Sequence, residues 1–266
     1  MHLPNLLRAT ARVYNTRNYH MNTKLAAALL FSVPAVYSIQ GRAADGVVLI
    51  NQASVIAAGG FPFKITQPGS YRLSSNLTVP ATGNGLVIDS SNVTLDLNGF
   101  SVACLGGAFA GVTSDYSPNT FYSNVKVAHG TVTGCGYGVN FLDVTFNVEI
   151  DGVTASNYQT GGIAISVGAV RRCFTTGGTA PSSVGITSQY GIVESNTLGG
   201  DSVGIFLTGG GRASITANFI SASQTAIESG AFIIYGSNVF FAQQSVVSSH
   251  GSAFSLNNNL CNQTLC

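Results

Sequence analysis

The run Gly85-Leu86-Val87-Ile88-Asp89-Ser90-Ser91-Asn92-Val93-Thr94-Leu95-Asp96-Leu97-Asn98-Gly99 decides the fold. Val93, Leu95 and Leu97 alternate with Thr94, Asp96 and Asn98, and Leu86 and Ile88 flank Val87. A period of two is a strand signal, not a helix signal. The pattern then repeats down the chain. A small residue followed by an aliphatic one recurs at Gly85-Leu86, Gly111-Val112, Gly138-Val139, Gly162-Ile163, Gly185-Ile186, Gly204-Ile205 and Ala226-Ile227, in steps of 26, 27, 24, 23, 19 and 22 residues. A second series runs Asn92-Val93, Asn124-Val125, Asn147-Val148, Ala169-Val170, and a third runs Asn196, Asn218, Asn238, Asn259. Three frames that share a period of about 22 residues mark a repeat architecture.

The period selects among repeats. The Leu-x-x-Leu-x-Leu pattern of a leucine-rich repeat is absent, and a propeller blade needs about 40 residues. What fits is an all-β, single-stranded right-handed parallel β-helix, with about three short strands per turn and about seven coils of ~22 residues over 85–260. At about 4.8 Å per coil the rod would be roughly 34 Å long. Residues 44–84 read as an N-terminal cap and first strands, with a short helix from Asn51 to Ala58, N-capped by Asn51 and ended by Gly59-Gly60. The Asn series is expected at tight turns, where Asn tolerates the left-handed conformation and can stack along the rod.

Composition agrees and excludes other classes. Charged residues are 8% of the chain, Gly numbers 32, Trp is absent and mean hydropathy is +0.31. Disorder requires the opposite balance. A net charge of +1 offers no footprint for nucleic acid. That net charge hides an asymmetry: Arg8, Arg12, Arg17, Lys24 and Arg42 all precede Asp45, the first acidic residue. Met21-Asn22-Thr23-Lys24, the apolar run Leu25 to Ile39 and Gly41-Arg42-Ala43 have the form of a secretory signal over 21–43. Residues 1–20 then read as an over-called start. The apolar run contains Pro34 and falls short of the roughly 20 residues a membrane span needs, so no span is expected after signal removal. The mature chain would carry six basic and ten acidic residues, net −4, and be secreted or periplasmic.

Five cysteines remain in 44–266, so at least one is free or intermolecular. Cys104 and Cys135 fall at similar phases of adjacent coils and are candidates for a disulfide. Cys173 sits between apolar positions and is expected as a buried thiol.

Two constellations carry chemistry. Alternation turns Val93, Val125, Val148 and Val170 inward and lines up Thr94, Lys126, Glu149 and Arg171 outside, with Asp96, Ala128, Asp151 and Cys173 in the next column. Arg172 departs from simple alternation. Lys126, Glu149 and Arg171 are the candidate catalytic residues, since removal of a proton beside a carboxylate needs a base and a neighbouring cation. Opposite charges on neighbouring strands also simply stabilise a sheet. The second constellation is Asp89 and Asp115, each four residues after its Gly and about 5 Å apart on adjacent coils, which are candidate calcium ligands. Asp143 lies one residue out of that register. Further binding candidates are Asp96, Asp151, the outward Phe206 and Tyr122, the last in a cluster with Tyr116, Phe121 and Tyr137.

The blocks Ala44-Asp45-Gly46-Val47-Val48-Leu49-Ile50-Asn51-Gln52-Ala53, Gln67-Pro68-Gly69-Ser70-Tyr71-Arg72-Leu73 and Asn92 to Phe100 resemble a family of exported bacterial right-handed parallel β-helix repeat proteins. The tail Asn258 to Cys266 resembles that family's terminal Cys pair, which implies a C-terminal cap over 261–266 closed by a Cys261–Cys266 disulfide. The wider pectate-lyase-like superfold includes polysaccharide lyases, hydrolases and epimerases, and also adhesins and tailspikes, so fold alone does not choose. The resemblance implies an exported protein that binds, and in some relatives processes, a polysaccharide, an acidic one being expected from the charged column, with calcium as the candidate ion. The alternative is a non-catalytic, adhesin-like surface or periplasmic scaffold.

Overall fold

The structure, a computed structural model, describes residues 46–266 apart from 107–108, 116–119, 143–144 and 263. The proposed signal, the over-called start, Tyr116 and Asp143 lie outside the described residues. The described chain winds as a parallel β-solenoid with three faces, and every strand pairing is parallel except that of Leu260–Cys261 with Thr264–Leu265.

Face A stacks Phe63–Ile65, Leu86–Ile88, Ala110–Ser114 and Tyr137–Phe141, and continues through parts of Gly161–Arg171, Val184–Glu194, Thr197–Leu207 and Phe219–Ser229 to Ser245–Ser249. Face B begins at Val48–Ile50 and Gly69–Leu73 and ends at Phe232–Gly236 and Ala253–Ser255. Face C runs from Leu77–Val79 to Leu260–Cys261. Nine strands on face A make nine turns. The extra turns over the expected seven include those of residues 48–79, which lack the Gly-aliphatic signature. At about 4.8 Å per coil, nine turns give roughly 43 Å.

The interior explains the repeat motif. Leu86, Val112, Val139, Ile163, Ile186, Ile205 and Ile227 are fully buried and stack along face A. The small residue before each one sits where face C turns into face A. A Cβ on Gly162 would lie 2.6 Å from the Gly185 carbonyl oxygen, and one on Gly185 would lie 2.8 Å from that of Gly204. The corner therefore admits almost nothing larger than hydrogen.

The third Asn series has a different role from the one its sequence suggests. The left-handed residues at the corner between faces B and C include His129, Arg172, Ser195, Ala217 and Ser237, with φ between 51° and 58°, and Asn98 and Asn257 near the two ends. Asn196, Asn218 and Asn238 each follow one of them and point inward, buried. Their amide nitrogens donate to the carbonyls of Val170, Val193 and Ile215 at 2.9–3.0 Å, and to the side-chain oxygen of the next Asn at 3.0–3.1 Å. An amide turned inward satisfies corner backbone that water cannot reach. Cys173 stands at the start of this ladder, its backbone N–H donating to Asn196 Oδ1 at 2.9 Å. Asn92, Asn124 and Asn147 do adopt positive φ, as do Asn98, Asn157, Asn257 and Asn262, and the exposed side chains of the first three form a second ladder.

The two ends of the described chain differ in their local structure. The helix Gln52–Ala57 is N-capped by Asn51, whose side chain accepts from Ser54 N while Ser54 Oγ accepts from Asn51 N. This capping box satisfies two helix-end donors. At the other end Cys261 and Cys266 are joined, and Cys104 and Cys135 are joined between adjacent coils. Cys173 is a buried free thiol, and burial pushes its pKa up to about 12. No helix among the described residues is long and apolar enough to cross a membrane.

Candidate functional site

The charged column on face B is rearranged relative to the sequence reading. Lys126 pairs in register with Glu149, but Glu149 lies beside Ala169, not Arg171. Arg171 stands instead between Asp151 and Glu194. Val148 likewise stacks on Gly168, and Cys173 aligns with Asn196 rather than following Asp151 outside. The two-residue shift arises because Gly161–Arg171 turns from face A to face B at Gly168, without the Asn turn used by earlier coils.

Each candidate on face B has a partner. Lys126 Nζ lies 2.9 Å from Glu149 Oε1, Arg171 Nε 3.3 Å from Glu194 Oε2 and Arg172 Nη2 2.6 Å from Asp151 Oδ2. Asp96 Oδ2 lies 3.4 Å from Arg72 Nε and Asp96 Oδ1 lies 3.3 Å from His129 Nδ1. A depression of about 520 Å³ brings Glu149 and Arg171 together with Phe146, Gly168, Gly191 and Ile192, but Lys126 does not line it. This is a cross-strand charge ladder.

Asp89 and Asp115 do stand in register at the end of face A strands, as Ile88 pairs with Ser114. Each holds a donor: Tyr122 Oη donates to Asp89, and Lys64 Nζ lies 2.5 Å from Asp115 Oδ2. The Asp115 contact raises the Lys64 pKa, and burial followed by the Asp89 bond pushes Tyr122 up to about 12. Calcium takes six to eight oxygens. Among the described residues no three His, Cys, Asp or Glu side chains gather into such a cage, and each carboxylate of the pair already faces a protein donor. Tyr122 is buried and offers no ring face to a ligand.

Beside Asp115 lies a cleft of about 590 Å³ on face A, within the size range of small-ligand sites. Phe109, which is 70% exposed, and Tyr137 supply its aromatic surface. The Tyr137 ring lies across Gly161, where a Cβ would come within 2.7 Å of it. Asn84, Asn140, Gln159 and Asp115 supply its polar groups. Asn84 Oδ1 accepts from Ala110 N at 3.1 Å and Asn140 Oδ1 from Leu142 N at 3.2 Å. Both side chains are thereby oriented, and among the described residues nothing accepts from their amide nitrogens. Of the sequence candidates among the described residues, Tyr137 and Asp115 line this cleft. Phe206 occupies the outward column of face A between Thr187 and Glu228, beyond it, and Phe121 packs on Phe146 with ring centroids 5.6 Å apart. Asn84 and Asn140 escape sequence reading because Asn is frequent at every turn of this chain.

A second feature without a sequence signal is internal. Tyr158 and Asp201 are both fully buried, and the Tyr158 hydroxyl lies 2.7 Å from each carboxylate oxygen. Asp201 points inward because register shifts on either side of it bulge the strand. Burial raises its pKa to about 6, against the opposing hydrogen bonds from Tyr158 and Ser183.

The chain matches no family model, no curated protein and no solved structure. Its class therefore rests on its own strand pairing, which is that of a parallel β-solenoid.

Proposed function

We propose that this chain is an exported β-solenoid, akin to the bacterial β-helix repeat family it resembles, that binds a polysaccharide along face A. The observation that carries the reading is the cleft itself, where two aromatic rings flank oriented amides. Aromatic faces and planar hydrogen-bonding side chains suit sugar rings, which have apolar faces and hydroxyl edges. Export is supported by the basic leader and apolar run, and by two disulfides, which persist in oxidising compartments. The site of action is then the periplasm or the exterior.

The reading is one of binding rather than turnover. A proton-abstracting base must be free to reach its substrate. On face B, Lys126 and Arg171 are each held by a carboxylate. That ladder of ion pairs favours the adhesin-like scaffold as the second reading.

Calorimetric titration against a panel of soluble polysaccharides tests the first reading. Tyr137→Ala should weaken binding by about tenfold or more, the loss expected for a stacked aromatic anchor. Equal affinity in the variant would remove the cleft from consideration. Amino-terminal sequencing of exported protein should read from Ala44.

A further inference from the structure

Charge is distributed unequally among the faces. Arg72, Lys126, Arg171, Arg172 and Arg212 all stand on face B or at its corner. Among the described residues, face A carries a single Lys or Arg, Lys64, and it is held by Asp115 at 2.5 Å. Asp89, Asp115 and Glu228 give the same face three carboxylates. A uronate entering the cleft would meet Asp115 in its wall, with no unpaired cation beside it. Desolvating a carboxylate without a cation is costly, and like charges brought together select against the wrong partner. A hydroxyl-rich neutral ring escapes both costs. The donors it needs are in place, since Asn84 and Asn140 spend their oxygens on the backbone and, among the described residues, keep their amide nitrogens for a ligand acceptor.

Resting on the binding reading above, we infer that the cleft takes a neutral polysaccharide and rejects uronate polymers. The ring stacks against Tyr137 and Phe109, Asn84 and Asn140 donate to its hydroxyl oxygens, and Asp115 accepts from a hydroxyl. The Lys64–Asp115 pair is the selectivity device, because it cancels the one cation that would admit an acid.

The test compares neutral oligosaccharides (β-glucan, xylan and mannan fragments) with galacturonan and alginate fragments of equal length, on the full mature chain. Affinity is read by calorimetry at low salt and at roughly 0.3 M salt. The expected result is a neutral ligand whose affinity changes less than about twofold with salt, and uronates at least about tenfold weaker. Asn140→Ala should weaken the neutral ligand by about tenfold while leaving the fold intact by circular dichroism. Asp115→Asn frees Lys64 and should raise uronate affinity by about tenfold in low salt, an increase that salt then abolishes. Uronates bound by the unaltered protein as tightly as the neutral ligand would overturn the inference, as would neutral binding that ignores Asn140→Ala. Failure of every fragment, neutral and acidic alike, would instead defeat the binding reading itself, so the two failures are distinct.

Discussion

Asp201 shows how one residue can set a pH dependence. Its folded pKa of about 6 exceeds its ordinary value of 3.8 because burial disfavours the charged form. The fold therefore prefers the protonated acid. Below pH 3.8 folded and unfolded chains are both protonated and the group imposes no charge penalty. As pH rises toward 6 the unfolded chain releases its proton first, and the fold loses stability relative to it. Above about pH 6 the full cost is present, on the order of 3 kcal/mol at 1.36 kcal/mol per unit. Asp201→Asn keeps the shape and an acceptor for Tyr158 but cannot ionise. Urea midpoints of the two proteins should therefore converge near pH 4 and separate by pH 7, with the variant the more stable. A separation that did not depend on pH would show that Asp201 is ionised at no cost.

The two Asn ladders look alike as elements yet differ in worth. Asn218 is buried, receives the Asn196 backbone N–H and side chain, and donates to Val193 O and Asn238 Oδ1. Asn218→Ala strands those partners away from water, at about 1–3 kcal/mol for each group left unsatisfied. Denaturant melts should show a loss of about 3 kcal/mol or more. Asn124 joins a ladder that donates in the opposite direction, each amide to the preceding coil, at the exposed corner between faces A and B. There water replaces lost partners, so Asn124→Ala should cost about 1 kcal/mol or less, most of it from forcing Ala into positive φ. Comparable losses in the two variants would contradict this account. Sequence reading treated each Asn as a turn residue, because composition alone does not tell an amide that faces water from one that faces the core.

At the scale of the molecule, stability is nearly one-dimensional, since each coil touches mainly the coils above and below it. The Cys104–Cys135 bridge closes a loop with a sequence separation of 31 across two such coils, beside the cleft. In the chain-entropy account a loop of that length is worth about 3–4 kcal/mol. Replacing both cysteines by Ala should lower the denaturation midpoint accordingly. Protease nicking should begin in coils near residues 104–135 rather than at the capped ends. Unchanged stability would mean that stacking of neighbouring coils already constrains this segment.

Much of this rod is determined by the sequence by itself. Period-two alternation says which residues face in, and a spacing near 22 says that strands stack as coils. Both follow from backbone geometry that every turn shares. The small residue of the Gly-aliphatic motif is readable for the same reason, because every coil must pass the same narrow corner. Register is another matter. It depends on how many residues each corner consumes, and the corner at Gly168 takes three steps from Ile165 to Gly168 where the preceding coil takes seven from Phe141 to Val148. That difference moves Arg171 from Glu149 to Asp151 and Glu194, and it converts a candidate catalytic column into a ladder of ion pairs. The bulge that turns Asp201 inward, and the stacking that gathers Asn84, Asn140 and Tyr137 across three coils, are likewise decided only in three dimensions. Corner lengths, bulges and the contacts between distant coils belong to no local pattern, so only the tertiary structure settles which side chains meet.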